Sequence, residues 1–126
     1  METEKIVERL KTFGYEYDEA EDAYSLDFAV SKVTWNILHN INQSTIPEGL
    51  MFIAIDMVCA EFLKIQKGFG KLDGIDFELI ANNIKLGDTN IQFAAAATPE
   101  QKFDASIDYL LTGYESEFAR YRKLVW

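Results

Sequence analysis

Histidine and cysteine are almost missing from this chain: there is one of each, His39 and Cys59. A single cysteine forbids an intrachain disulfide and fits a reducing compartment. Two side chains are also too few for a structural zinc, which needs several Cys or His ligands. Long apolar runs are missing as well. The longest in the middle of the chain, Leu50 to Ile55, is far short of the ~18 residues of a membrane span. Positive charge is scarce, with 12 Lys and Arg against 21 Asp and Glu and a net charge of −9. An acidic surface repels phosphates, which argues against an autonomous nucleic-acid binder and against docking on anionic membranes. The opening Met1-Glu2-Thr3-Glu4-Lys5 lacks the charged-then-apolar order of a signal peptide. The expectation is a soluble protein made in the cytoplasm.

What the chain does have is a globular composition, 48% hydrophobic and 13% aromatic in 126 residues. That is enough for one domain with its own core. Ile6, Val7, Leu10 and Phe13 recur at helical spacing and stop at Gly14, predicting a short amphipathic helix over Glu2–Phe13. Five acids follow within residues 16–22. They lack the ligand spacing and glycine of a calcium loop. Asp18 with Glu21 resembles a capping box at a helix entrance.

The next helix is expected from about Glu19 to Ile41. Leu26, Val30, Val33, Ile37 and Ile41 form its core stripe, while Tyr24, Phe28, Trp35 and His39 fall near the opposite side. Two explanations stay open for those aromatics: a helix central in the bundle, or a far side that meets another subunit. Residues 42–49 read as a loop, and a third helix as running from near Pro47 to about Lys67. Apolar residues cover most of that helix, so Cys59 reads as a small buried hydrophobe rather than a nucleophile.

Gly68, Gly70 and Gly74 break the pattern, and a short helix is predicted near Phe77 to Asn82. Ile84 and Leu86, then Ile91 and Phe93, alternate with polar residues around Gly87-Asp88-Thr89-Asn90. This reads as a small hairpin or an extended excursion needing support from the bundle or a partner. Thr98, Pro99 and Gln101 make a helix start, with Phe103, Ile107, Leu110 and Leu111 as its stripe. The predicted fold is all-α: a small bundle of four to five helices with a minor β-hairpin or extended loop before the last helix.

The last seven residues, Arg120-Tyr121-Arg122-Lys123-Leu124-Val125-Trp126, carry three cations and no acidic side chain, so residues 1–119 carry −12. Burying the apolar end stabilises by roughly 1.5–3 kcal/mol per side chain, and Arg, Tyr and Trp are favoured at interface hot spots. Either the tail folds back on its own acidic domain or it docks into a neighbouring protein. Three cations on such a body are a weak footprint for nucleic acid.

Four segments give the chain a family likeness: Ile46-Pro-Glu-Gly-Leu50, Asp56-Met-Val-Cys-Ala-Glu-Phe-Leu63, Gly87-Asp-Thr89 and Glu117-Phe-Ala-Arg-Tyr-Arg-Lys-Leu-Val-Trp126. With their order, they resemble the head–tail connector (adaptor) proteins of tailed bacteriophages and prophages of Gram-positive bacteria. The resemblance implies a structural virion protein at the neck, made in the host cytoplasm, without enzymatic activity or cofactor. It implies a homo-oligomeric ring, commonly twelve-fold, beneath the portal protein. Such a ring extends the DNA channel and offers a platform to the next neck or tail-completion protein. It implies that residues 120–126 pack on the portal and that Gly87, Asp88, Thr89 and Asn90 face the channel or the tail side. A ring closes through heterologous contacts, so each subunit needs two lateral faces. Tyr24, Phe28, Trp35 and His39 are the candidates for one. A tail repeated around a ring gains by multivalency, and a negative lumen would let DNA pass without gripping it.

Two other classes compete. The charge suits an acidic helical binding module that sequesters a host nucleic-acid-binding protein. A small enzyme has less support, because no nucleophile–base constellation, phosphate loop or ligand cluster is readable.

Overall fold

A computed structural model describes residues 1–87 and 90–124 of the chain. It is an all-α bundle. Its elements are α1 (Thr3–Phe13), α2 (Glu19–Ile41), a 3₁₀ turn (Glu48–Leu50), α3 (Met51–Gly68), α4 (Phe77–Gly87), α5 (Pro99–Thr112) and a short α6 (Glu115–Tyr121).

Local chemistry sets most of these limits. Gly14 takes φ 104° at the end of α1, where its N–H donates to the Lys11 carbonyl and that of Tyr15 to Leu10. This reversal needs a left-handed residue, which glycine supplies without a Cβ penalty. Asp18 begins α2 by accepting from the Ala20 N–H at 3.0 Å. The reciprocal bond to the Asp18 N–H comes from Asp22 Oδ2 at 3.0 Å, whereas the expected partner, Glu21, is exposed. Asp22 lies one residue further along, on the inward face, where a carboxylate can reach back while packed. At α5 the predicted start is realised in full: Thr98 and Gln101 exchange side-chain-to-backbone bonds, with Pro99 at the first helical position.

Helix α3 is the centre. The helices α1, α2 and α5 all pack on it, and α4 packs on α1 and α5. Every residue from Ala54 to Leu63 except Asp56 is buried, as expected of a helix that is apolar on nearly all sides. Phe13, Phe62 and Phe103 are the largest fully buried side chains. Polar ties cross the seams. Tyr15 Oη donates to Asp22 Oδ2 at 2.9 Å, and Gln66 Nε2 donates to Asp22 Oδ1 and to Tyr15 Oη, each at 3.0 Å. Together they join the entrance of α2 to the exit of α3. Arg9 Nε meets Asp56 Oδ1 at 2.7 Å between α1 and α3. Lys32 Nζ meets the buried Glu61 at 2.6 Å between α2 and α3.

Of the two expectations for the segment before α5, the extended loop is what the bundle carries. No strand occurs among the described residues. Ile84 and Leu86 belong to α4, which runs to Gly87 rather than ending near Asn82. Ile80 and Ile84 sit one helical turn apart and are both buried, while Leu86 is exposed. Two alternating apolar residues are too few to tell a strand from a helix. The loop is held by its own bundle: Ile91 is buried in the core, and Lys85 Nζ stands 5.2 Å from the Phe93 ring centroid.

Candidate functional site

Cys59 is fully buried, with Sγ 3.7 Å from the Ile6 carbonyl that accepts from it. Burial pushes the thiol pKa far up, so the thiolate needed for nucleophilic attack is disfavoured. His39 lies on the exposed face of α2, its ring stacked on Trp35 at 4.9 Å and 7°. The only thiol is thus sealed in the core, while the only imidazole lies at the surface. Two of the acids outside the helices serve as caps: Asp76 Oδ1 accepts from the Leu79 N–H at 3.0 Å at the start of α4, as Asp18 Oδ1 accepts from the Ala20 N–H at α2. Among the described residues no group of three or more His, Cys, Asp or Glu is placed to hold a metal ion, and no helix is long and apolar enough to cross a membrane.

The basic C-terminal segment has a definite seat. Phe118 is buried and anchors α6, which packs on α2. Beyond α6 the backbone lies against the exit of α2. The Lys123 N–H donates to the Ile41 carbonyl at 2.8 Å, and Arg122 Nε donates to the Asn40 carbonyl at 2.8 Å. Asn42 Nδ2 donates to the Lys123 carbonyl at 3.1 Å, and Gln43 Nε2 donates to the Tyr121 carbonyl. The last carbonyls of a helix lack intrahelical partners, and here the tail supplies donors to two of them. Asn42 can take part because it adopts the left-handed conformation, φ 54°.

Tyr121 is half-buried, and its ring packs against Gly49: a Cβ at Gly49 would overlap the Tyr121 hydroxyl and stand 3.0 Å from Cζ. Two of the segments carrying the family resemblance, Ile46–Leu50 and Glu117–Trp126, thus meet in space. Arg120, Arg122, Lys123 and Leu124 remain exposed. Arg120 pairs with Glu117, 3.6 Å away on the same helix. Val125 and Trp126 lie outside the described residues.

On α2 the predicted division of faces is present. Leu26, Val33, Ile37 and Ile41 are buried, and Val30 is half-buried. Tyr24 is 84% exposed, Phe28 54% and Trp35 64%; His39 is exposed beside them. Of the two explanations open from sequence, a helix buried on all sides is set aside, because this face of the single chain meets solvent. Phe52, at the start of α3, is as exposed as Tyr24. Sequence pattern had no means of separating it from its buried neighbours in the same apolar run.

Gly87 ends α4, where an added Cβ would stand 3.0 Å from Arg9 Nη2. Asn90 sits exposed in a turn, and Asp88 and Thr89 lie outside the described residues. The residues that sequence reading missed are the ones holding the tail: Asn40, Asn42, Gln43 and Gly49. Only Asn42 carries a local signal, since Asn is favoured after helix ends.

No protein-family model, curated protein or solved structure matches the chain.

Proposed function

We propose that this chain is a structural connector of a tailed-phage neck. It forms a homo-oligomeric ring between the portal protein and the next neck or tail-completion protein, through which genomic DNA passes without specific binding. In this reading it has no enzymatic activity and no cofactor, and it resides in the virion after synthesis in the host cytoplasm. The observation that carries the reading is the cationic edge made by the C-terminal segment. Its backbone is fixed to α2 through Lys123, yet Arg120, Lys123 and Leu124 project outward from a body whose first 119 residues carry −12. A fixed backbone with exposed side chains presents a preorganised contact, which lowers the ordering cost of binding. Repetition around a ring multiplies it. The sequence resemblance supplies the portal as the partner, and the outward face of α2 is a candidate lateral face.

The test is co-sedimentation with purified portal assemblies. Two variants spare the seat: Arg120→Glu with Lys123→Glu, and a chain ending at Lys123. Each is expected to lose portal association while its helical signal stays that of the parent chain and its unfolding free energy falls by less than about 1 kcal/mol. If both variants join the portal as the parent does, the reading falls.

A further inference from the structure

The exposed rings of α2 stand at positions 24, 28, 35 and 39. These positions are symmetric about a point between Ser31 and Lys32. At 100° per residue they occupy a band about 60° wide, and at 1.5 Å per residue the stripe is about 22 Å long. Two such helices laid antiparallel, with that point on a two-fold axis, set Tyr24 of each copy against His39 of the other. The same operation sets Phe28 of each against Trp35 of the other. Aromatic pairs of this kind gain beyond the area they bury.

Charge follows the same symmetry. The entrance of α2 is acidic, with Glu16, Glu19 and Glu21 exposed. Its exit is basic, because Arg122 and Lys123 are bound to Asn40, Ile41 and Asn42. An antiparallel pair brings acidic end to basic end twice, whereas a parallel pair opposes like charges. At the centre Ser31 is small and exposed, which permits close approach. The Lys32 ammonium beside it is engaged by Glu61 at 2.6 Å, so it does not face its own copy unpaired.

We infer that the outward face of α2 is a self-docking surface on which a second copy of this chain seats antiparallel about Ser31. The contact is isologous and closes at two copies. Four partly exposed rings offer roughly 400–500 Å² per chain, about half of the ~800 Å² per partner in a standard stable interface. The pair is therefore dissociable, with a micromolar Kd. Pairing covers a face that a heterologous ring contact would otherwise use. It does not rest on the portal reading, and portal binding by the tail can stand or fall separately.

Sedimentation velocity of the full chain at about 5 and about 200 µM brackets a micromolar Kd; the expected result is monomer passing to dimer, with nothing larger. Trp35→Asp and Phe28→Asp, both at exposed positions, are each expected to weaken dimerisation at least about 30-fold, with helical signal unchanged. Register is read by oxidation. Ser31→Cys should cross-link to itself rapidly, and Tyr24→Cys should not, since only a parallel pair brings two residues 24 together. The native Cys59 is fully buried and does not compete. A chain that stays monomeric at the higher concentration overturns the inference. So do species larger than a dimer, aspartate variants that dimerise like the parent, or preferential cross-linking of Tyr24→Cys.

Discussion

The two faces of α2 hold residues of the same apolar kind in opposite circumstances. On one face Leu26, Val33, Ile37 and Ile41 are sealed against the rest of the bundle. On the other, Tyr24, Phe28 and Trp35 keep more than half of their area in water. Apolar atoms on a surface are ordinary, but an aligned set of large rings on one helix face is not. The inward face makes the fold, and the outward face leaves an apolar patch in water, the one proposed above to seat a second copy. The charged groups divide in the same way. Asp22 and Glu61 are buried with partners, whereas Arg120, Arg122 and Lys123 line an exposed edge.

Truncation at each face tests this contrast most strongly. Ile37→Ala is expected to destabilise by about 2–5 kcal/mol, because it removes fully buried methyl groups and leaves a cavity. Trp35→Ala, a larger truncation by volume, is expected to stay within about 0.5 kcal/mol at dilutions where the chain is monomeric. Urea midpoints of the two variants measure both values. Comparable losses would mean that the outward face also supports the folded monomer, and the division would fail.

Next in size is Gly49→Ala. The added methyl must displace the Tyr121 ring, and overpacking of this sort costs about 1–2 kcal/mol. The same change should loosen the cap on the exit of α2, read as faster hydrogen exchange at the Lys123 amide, which donates to Ile41. With Tyr121→Ala in the background the methyl has nothing to strike, so the two changes should be strongly non-additive.

High pH sharpens the inward side. Burial pushes the Tyr15 pKa up to about 12; the Gln66 bond opposes this, and the Asp22 bond and charge add to it. The unfolded chain ionises near the ordinary value of 10. Stability from this phenol is complete below pH 10 and is lost as pH rises through 12, because the unfolded state gives up its proton first. With solvent screening allowed for, the loss is about 1 kcal/mol across that window. Tyr15→Phe should flatten the profile between pH 10 and 12, measured as the unfolding midpoint against pH. An unchanged slope would assign the alkaline loss to other groups, Tyr17 first, whose pKa is raised to about 12 chiefly by burial.

How much of this was readable beforehand depends on distance along the chain. The limits of α2, the stop at Gly14 and the start at Thr98 follow from neighbouring residues, and sequence pattern located them. The stripe of buried residues on α2 and the aromatics opposite it also follow from one helix's periodicity. The seat of the tail does not. It joins residues 81 and 82 positions apart through the Asn42 and Arg122 side chains, whose acceptors are backbone carbonyls that any residue carries. Gly49 looks like an ordinary turn glycine until Tyr121 is laid over it. The extension of α4 to Gly87 was hidden because Ile84 and Leu86 satisfy either period over so short a run. Candidate surfaces were legible where they lay on one element, and the joint between elements was not.

The smallest expected effect concerns the exposed basic edge. Arg120 is 74% exposed at its side chain and stands 3.6 Å from Glu117, one turn away; exposed pairs of this kind contribute about 0–1 kcal/mol. Lys123 holds the exit of α2 through its backbone, and its side-chain charge adds only a screened attraction to that helix end, about 0.3–1 kcal/mol. Arg120→Glu with Lys123→Glu should therefore lower the unfolding free energy by less than about 1 kcal/mol, and by less still as salt is raised. The measurement is the urea midpoint at low and high ionic strength. A loss several times larger at both would show that these cations hold their own fold together, and the edge would then belong with the inward face of α2, not with a surface kept for another protein.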